Sequence, residues 1–194
     1  MAIIIDRLSK AFGPHKVLDS FSCVLEEGKT TCIMGASGAG KSTFLHLLLR
    51  LHKPDAGSIG KLETLRPSVL FQEDRLCENL NPIKNVQLVT DKATSLETIR
   101  AALAAVGLED CLTQPVRELS GGMKRRVALI RALMAPYDVL LLDEPFKELD
   151  KETKAQVVTY LKACAAGRTV LIATHDAADI ALMDANVVYI TESE

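Results

Sequence analysis

The feature that most constrains this chain is an eight-residue string, Gly35-Ala36-Ser37-Gly38-Ala39-Gly40-Lys41-Ser42, which fits the pattern GxxxxGK[ST]. A β-rich run over residues 30–34 leads into it. A helical pattern over residues 41–51 leads out, closed by the breaker cluster Lys53-Pro54-Asp55-Ala56-Gly57. Strand, glycine-rich loop and helix in that order make a phosphate-binding turn. The glycines let the backbone wrap the β- and γ-phosphates, while amide N–H groups and the helix N-terminus supply positive potential. Lys41 adds a mobile charge, Ser42 can ligate Mg²⁺, and Thr43 completes the set of candidate binding residues.

The rest of the chain fits the sheet that such a turn requires. Runs over residues 2–6 and 16–25 precede the loop, and a short apolar strand follows at 69–72. Helical patterns then dominate, over 95–106 and 121–135, so residues 73–135 read as a helical insert between core segments 1–72 and 136–194. From Tyr137 onward strands (138–142, 169–174, 186–190) alternate with helices (151–165, 176–183). Nearly continuous apolar strands alternating with helices imply a parallel sheet covered on both faces, with the phosphate site at the carboxyl ends of its strands.

Composition bounds the function classes. With 194 residues, 48% hydrophobic and 25% charged, the chain can bury one sizeable core and reads as one domain, 1–194. Its longest apolar runs, such as residues 44–51, fall far short of the roughly 20 residues that cross a bilayer. The opening Met1-Ala2-Ile3-Ile4-Ile5-Asp6 lacks the parts of a secretory signal, so a cytoplasmic location is expected. A formal charge of −2 without a long basic stretch argues against nucleic acid as a partner. Five scattered cysteines without a CxxC pair read as reduced, mostly buried thiols.

A second constellation sits about a hundred residues beyond the loop. Val139-Leu140-Leu141-Leu142-Asp143-Glu144 is a buried strand ending in two carboxylates. Beside a phosphate loop the two acids can divide labour, Asp143 holding Mg²⁺ and Glu144 acting as general base on the attacking water. The bland alternative for either acid is a helix N-cap.

The string Leu119-Ser120-Gly121-Gly122-Met123 decides the family reading. Ser120 and two glycines at a helix start make a second anion-binding terminus, and a simple cap would not need the paired glycines. The string closely resembles the LSGGQ signature of ATP-binding-cassette proteins, with Met123 at the position usually held by Gln. The fold this implies is α/β: a P-loop NTPase with a mostly parallel core sheet, an antiparallel β portion near the N-terminus and the helical insert.

The resemblance extends along nearly the whole chain. It puts Phe12 where an aromatic ring stacks on the adenine of ATP, Gln72 at the glutamine that reaches Mg²⁺ and the water, and His175 at the switch histidine that touches the γ-phosphate and orients Glu144. Leu149-Asp150 resembles the end of the dimer-contact loop, with Glu148 where a small residue is usual. The family further implies a homodimer, or a dimer with a sister ATPase. In it Ser120, Gly121 and Gly122 meet the ATP bound by the other chain, and residues 73–89 meet a transmembrane permease at the inner face of the cell membrane. Phe71-Gln72-Glu73-Asp74-Arg75-Leu76 with Ser120-Gly121-Gly122-Met123 is most similar to importer ATPases for nitrate, sulfonate and taurine. A P-loop kinase would explain Gly35 to Ser42 but neither the signature string nor His175. The remaining alternative is a cytosolic ATPase switch not coupled to transport.

Overall fold

The computed structural model describes residues 2–61 and 64–191. Two sheets organise them. Strands β1 (Ile3–Phe12), β2 (His15–Leu25) and β4 (Ala56–Ile59) form an antiparallel sheet in the order β2-β1-β4. Strands β3 (Thr30–Met34), β5 (Pro67–Leu70), β6 (Val139–Asp143), β7 (Thr169–Thr174) and β8 (Asn186–Tyr189) form a parallel sheet in the order β5-β6-β7-β3-β8.

Every residue of β6 and β7 is buried, as expected of strands covered on both faces. Their side chains divide by parity. Leu140, Leu142, Val170 and Ile172 join one apolar cluster with the helices of the insert. Val139, Leu141, Leu171 and Ala173 join another with the antiparallel sheet and helix α1 (Lys41–Leu48). The period-2 alternation of strand side chains thus sends neighbouring residues into opposite layers.

Between β5 and β6 the described residues are helical or irregular: α2 (Pro82–Gln87), α3 (Leu96–Ala104), two short 3₁₀ turns and α4 (Gly121–Met134). Helices α5 (Lys151–Ala165) and α6 (Ala177–Met183) complete the order. Several elements depart from the sequence reading: β1 runs on to Phe12 where the β-rich run is read over residues 2–6, and β5 spans Pro67–Leu70 rather than 69–72. The stretch around residues 73–89, where the sequence reading marks no helical pattern, contains α2, a helix too short to show periodicity and started by the Asn81 cap on Lys84 N–H with Pro82 behind it. Strand β4 occupies the breaker cluster, where Gly57 (φ 83) passes so close to the Arg7 carbonyl that a Cβ has no room. Helix α1 stops at Leu48, followed by Arg50 at φ 57.

Bulges reset β1. Ile3, Ile5 and Leu8 are all buried although a strict alternation would turn Leu8 outward, because the register shifts between Ile5 and Leu8 with Arg7 at φ 45. Of the five cysteines, expected to be mostly buried, Cys32 and Cys111 are buried, Cys23 and Cys164 are half-buried, and Cys77 is exposed. Among the described residues no helix is long and apolar enough to cross a membrane.

Candidate active site

Strand β3 lies inside the parallel sheet between β7 and β8 and delivers the glycine loop at its carboxyl end. Two positions of the loop require glycine. Gly40 caps α1 in the left-handed region (φ 100), and a Cβ there would lie 2.8 Å from Val17 Cγ1 and 3.0 Å from the Val17 carbonyl. At Gly35 a Cβ would lie 2.6 Å from the Ile190 carbonyl. β2 and the segment after β8 therefore clamp the loop from two sides.

Lys41 is buried and points back across the loop, its Nζ donating to the carbonyls of Gly35 at 2.7 Å and Ala36 at 2.8 Å. The ammonium is thereby held against the glycine loop.

A cavity of about 600 Å³ opens over the loop. It is lined by Ala36, Ser37, Gly38, Gly40, Lys41, Ser42 and Thr43, by Gln72 beyond β5, by Asp143 and Glu144 at the end of β6, and by His175 beyond β7. The carboxyl ends of four strands of one sheet thus converge on the site, as a doubly covered parallel sheet dictates. Gly35 and Ala39 do not line it.

Asp143 is 5% exposed, and burial pushes its pKa above the ordinary carboxylate range, with the Ser42 hydroxyl bonded to it pulling the other way. A buried carboxylate beside a hydroxyl is a hard-oxygen pair that fits Mg²⁺. No cluster of three His, Cys, Asp or Glu is found among the described residues.

Glu144 continues the strand by donating its N–H to the Ala173 carbonyl at 2.8 Å, yet its φ is 50. For a glutamate this left-handed conformation costs about 1–3 kcal/mol and is the kind of strain found at functional sites. His175 Nδ1 lies 2.7 Å from Glu144 Oε1. With its proton on Nδ1 the imidazole donates to the carboxylate and fixes its orientation. His175 is itself held by its neighbours. The Asp176 N–H donates to Thr174 Oγ1 at 3.1 Å, and Lys154 on α5 pairs with Asp176 at 2.8 Å and Asp179 at 2.6 Å.

The other candidates lie outside the cavity. Phe12 ends β1 with its ring 44% exposed, flanked by His52 edge-on at 5.3 Å and Lys10 Nζ at 5.4 Å. That exposure leaves a ring face open to solvent. Ser120 caps α4 by accepting from Met123 N–H at 3.3 Å, and Gly121 and Gly122 open the helix against Glu148. None of the three lines the chain's own phosphate cavity.

The sequence reading missed two residues here. Lys147 also lines the cavity, and buried Arg125 bonds to the backbone on either side of it. Neither belongs to a pattern that marks it from sequence.

A profile of the ABC transporter family matches residues 18–147, a span that holds the glycine loop, the signature string and the Asp143-Glu144 strand end. The chain belongs to the ABC transporter family. Among its relatives, the aliphatic sulfonates import ATP-binding protein of Mesorhizobium japonicum is 41% identical over 175 residues, 89% of this chain and 70% of that one. The bicarbonate transport ATP-binding protein of Synechococcus elongatus is 38% identical, over 90% of this chain and 69% of that one. A dimeric ATP-binding cassette solved in a post-hydrolysis state with ADP and Pi superposes with a TM-score of 0.82 at 25% identity, covering all of this chain and 97% of the other. This ABC chain is thus an ATP-binding ATPase cassette of the same architecture, with the sequence expectations of a parallel core sheet and an antiparallel N-terminal portion both met.

Proposed function

We propose that the chain is the nucleotide-binding subunit of a small-solute importer, working as a dimer on the cytoplasmic face of a membrane against a transmembrane permease. The observation that carries the catalytic part is the pairing of Glu144 with His175 at the mouth of a cavity floored by the glycine loop. The relative named for sulfonates import supports import, and the relatives named for sulfonates, bicarbonate and arginine support a small solute.

In this reading ATP phosphates displace the loop carbonyls as partners of Lys41, and the amides of residues 36–42 close around them. Ser42, Asp143 and Gln72 hold Mg²⁺, which when bound screens the phosphate charge and polarises the γ-phosphoryl group. Glu144 accepts a proton from the attacking water while His175 keeps its carboxylate in place. Phe12 offers a ring face to adenine. The helix start at Ser120, Gly121 and Gly122, lying outside its own cavity, takes the γ-phosphate bound by the other chain, so ATP becomes part of the dimer interface. Residues 73–135 act as a helical subdomain, and 73–89 within it receive the permease.

Glu144→Gln tests the chemistry. ATP binding should persist while turnover falls by at least about a hundredfold, within the range of general acid–base contributions; near-normal phosphate release removes Glu144 from its role. Native Cys77, exposed at the start of the proposed permease surface, tests the partner. A maleimide cross-linker on Cys77 should capture a membrane protein in native vesicles, and capture of soluble chains alone counts against a permease there.

A further inference from the structure

Arg125 is 3% exposed, one of the few charges buried in the molecule. It projects from the second turn of α4, the helix that opens at Ser120. Its guanidinium reaches two strand ends at once. On the β5 side, one terminal nitrogen donates to the Phe71 carbonyl at 2.6 Å and to the Asp74 carboxylate at 2.9 Å, flanking Gln72. On the β6 side, the other terminal nitrogen donates to the carbonyls of Asp143 and Glu144, the latter at 3.0 Å, and Nε adds a bond to the Glu144 carbonyl at 3.2 Å.

The Glu144 carbonyl, which also accepts from the Lys147 N–H at 3.2 Å, follows the residue at φ 50 where the chain leaves the run of β6. A planar fork with several fixed donors can hold two backbone segments in one geometry; an ammonium, a single point of charge, cannot. The same helix also holds the segment beyond Gln72, where Arg131 donates to the carbonyls of Asp74 at 2.9 Å and Arg75 at 2.8 Å.

We infer that Arg125 is a positioning residue for hydrolysis: it locks the left-handed backbone of Glu144 and the segment carrying Gln72 to the helix that presents Ser120. It does not line the cavity and acts through the backbone beside residues that do. It also makes the signature helix, the Gln72 segment and the end of β6 one mechanical unit, so a displacement of α4 on dimer closure is passed to Glu144. This inference rests on Glu144 being the general base.

The test uses the full chain with Arg125→Gln, and with Arg168→Gln as the loss of a guanidinium away from the cavity. Arg168 donates to the Tyr137 carbonyl at 3.2 Å and lies over the Tyr137 ring, ahead of β6 and β7 rather than at their carboxyl ends. ATP affinity, phosphate release per folded chain and melting temperature are measured for both. Arg125→Gln should lower kcat at least tenfold with the ATP Kd within about threefold, while Arg168→Gln leaves both within about threefold. If Arg125→Gln yields no folded chain, Arg125→Lys decides on the same criterion, since it keeps the charge and loses the fork. The inference is overturned if kcat per folded chain is unchanged in the decisive Arg125 variant, or falls equally in the Arg168 variant. Normal hydrolysis by Glu144→Gln would instead defeat the reading of Glu144, a result independent of the two arginine variants.

Discussion

Replacing Phe12 by Ala separates two roles that an aromatic residue near a nucleotide site can have. The ring is 44% exposed at the end of β1, with an edge contact to His52 and Lys10 Nζ above it. Full burial of a phenylalanine stabilises a fold by about 1.5–3 kcal/mol, and roughly half of that is in play here, so truncation costs about 1 kcal/mol. For a chain of this size that corresponds to a drop of about 2–4 °C in melting temperature. Stacking of a base on an aromatic ring is worth about 1–3 kcal/mol, which at about 1.4 kcal/mol per tenfold raises the ATP Kd by about 5- to 150-fold. Binding should therefore suffer out of proportion to stability. Equilibrium titration with a fluorescent ATP analogue, beside a thermal melt of the nucleotide-free chain, measures both. Because a ring face reads no base edge, GTP affinity should fall by a similar factor. A Kd unchanged within twofold, with a melting temperature lowered by more than about 5 °C, would refute the stacking role and make Phe12 a packing residue.

Three further outcomes follow from the same geometry. Burial raises the pKa of Asp143 above its ordinary 3.8, so the folded state is penalised as pH rises through the raised value; Asp143→Asn should therefore raise the melting temperature of the nucleotide-free chain at pH 7, lose that advantage at pH 3, and abolish turnover, and a lower melting temperature at pH 7 contradicts the argument. Glu148 sets its carboxylate against Gly121 at the start of α4, and removing an anion from each of two helix termini is worth about 0.6–2 kcal/mol to an incoming phosphate; Glu148→Ala in the Glu144→Gln background should tighten the ATP-driven dimer by about 3- to 30-fold in sedimentation experiments, and a weaker dimer refutes it. Mixing Lys41→Ala chains with Ser120→Arg chains should restore some hydrolysis if the signature acts across the dimer, with a covalently linked pair as the check on whether one intact site suffices.

What the sequence determined by itself were features whose physics is local. Gly35 to Ser42 forms the loop between β3 and α1, with three glycines, a lysine and a serine that follow a strand and open a helix, and all of that is contiguous. The same holds for Ser120, Gly121 and Gly122, and for the apolar strand that delivers Asp143 and Glu144. Tertiary structure decided what depends on residues distant in sequence. Helix α2 is too short to carry a period, and its start is set by one cap and one proline. Strand β4 forms from a breaker cluster because β1 offers it an edge and Gly57 allows the close approach. Arg125 gives no sequence signal, since surface and buried arginines look alike in a charged helical stretch. Its importance arises only when β5, β6 and α4 bring the carbonyls of Phe71, Asp143 and Glu144 within reach of one guanidinium, in an interior where each of those groups needs a partner.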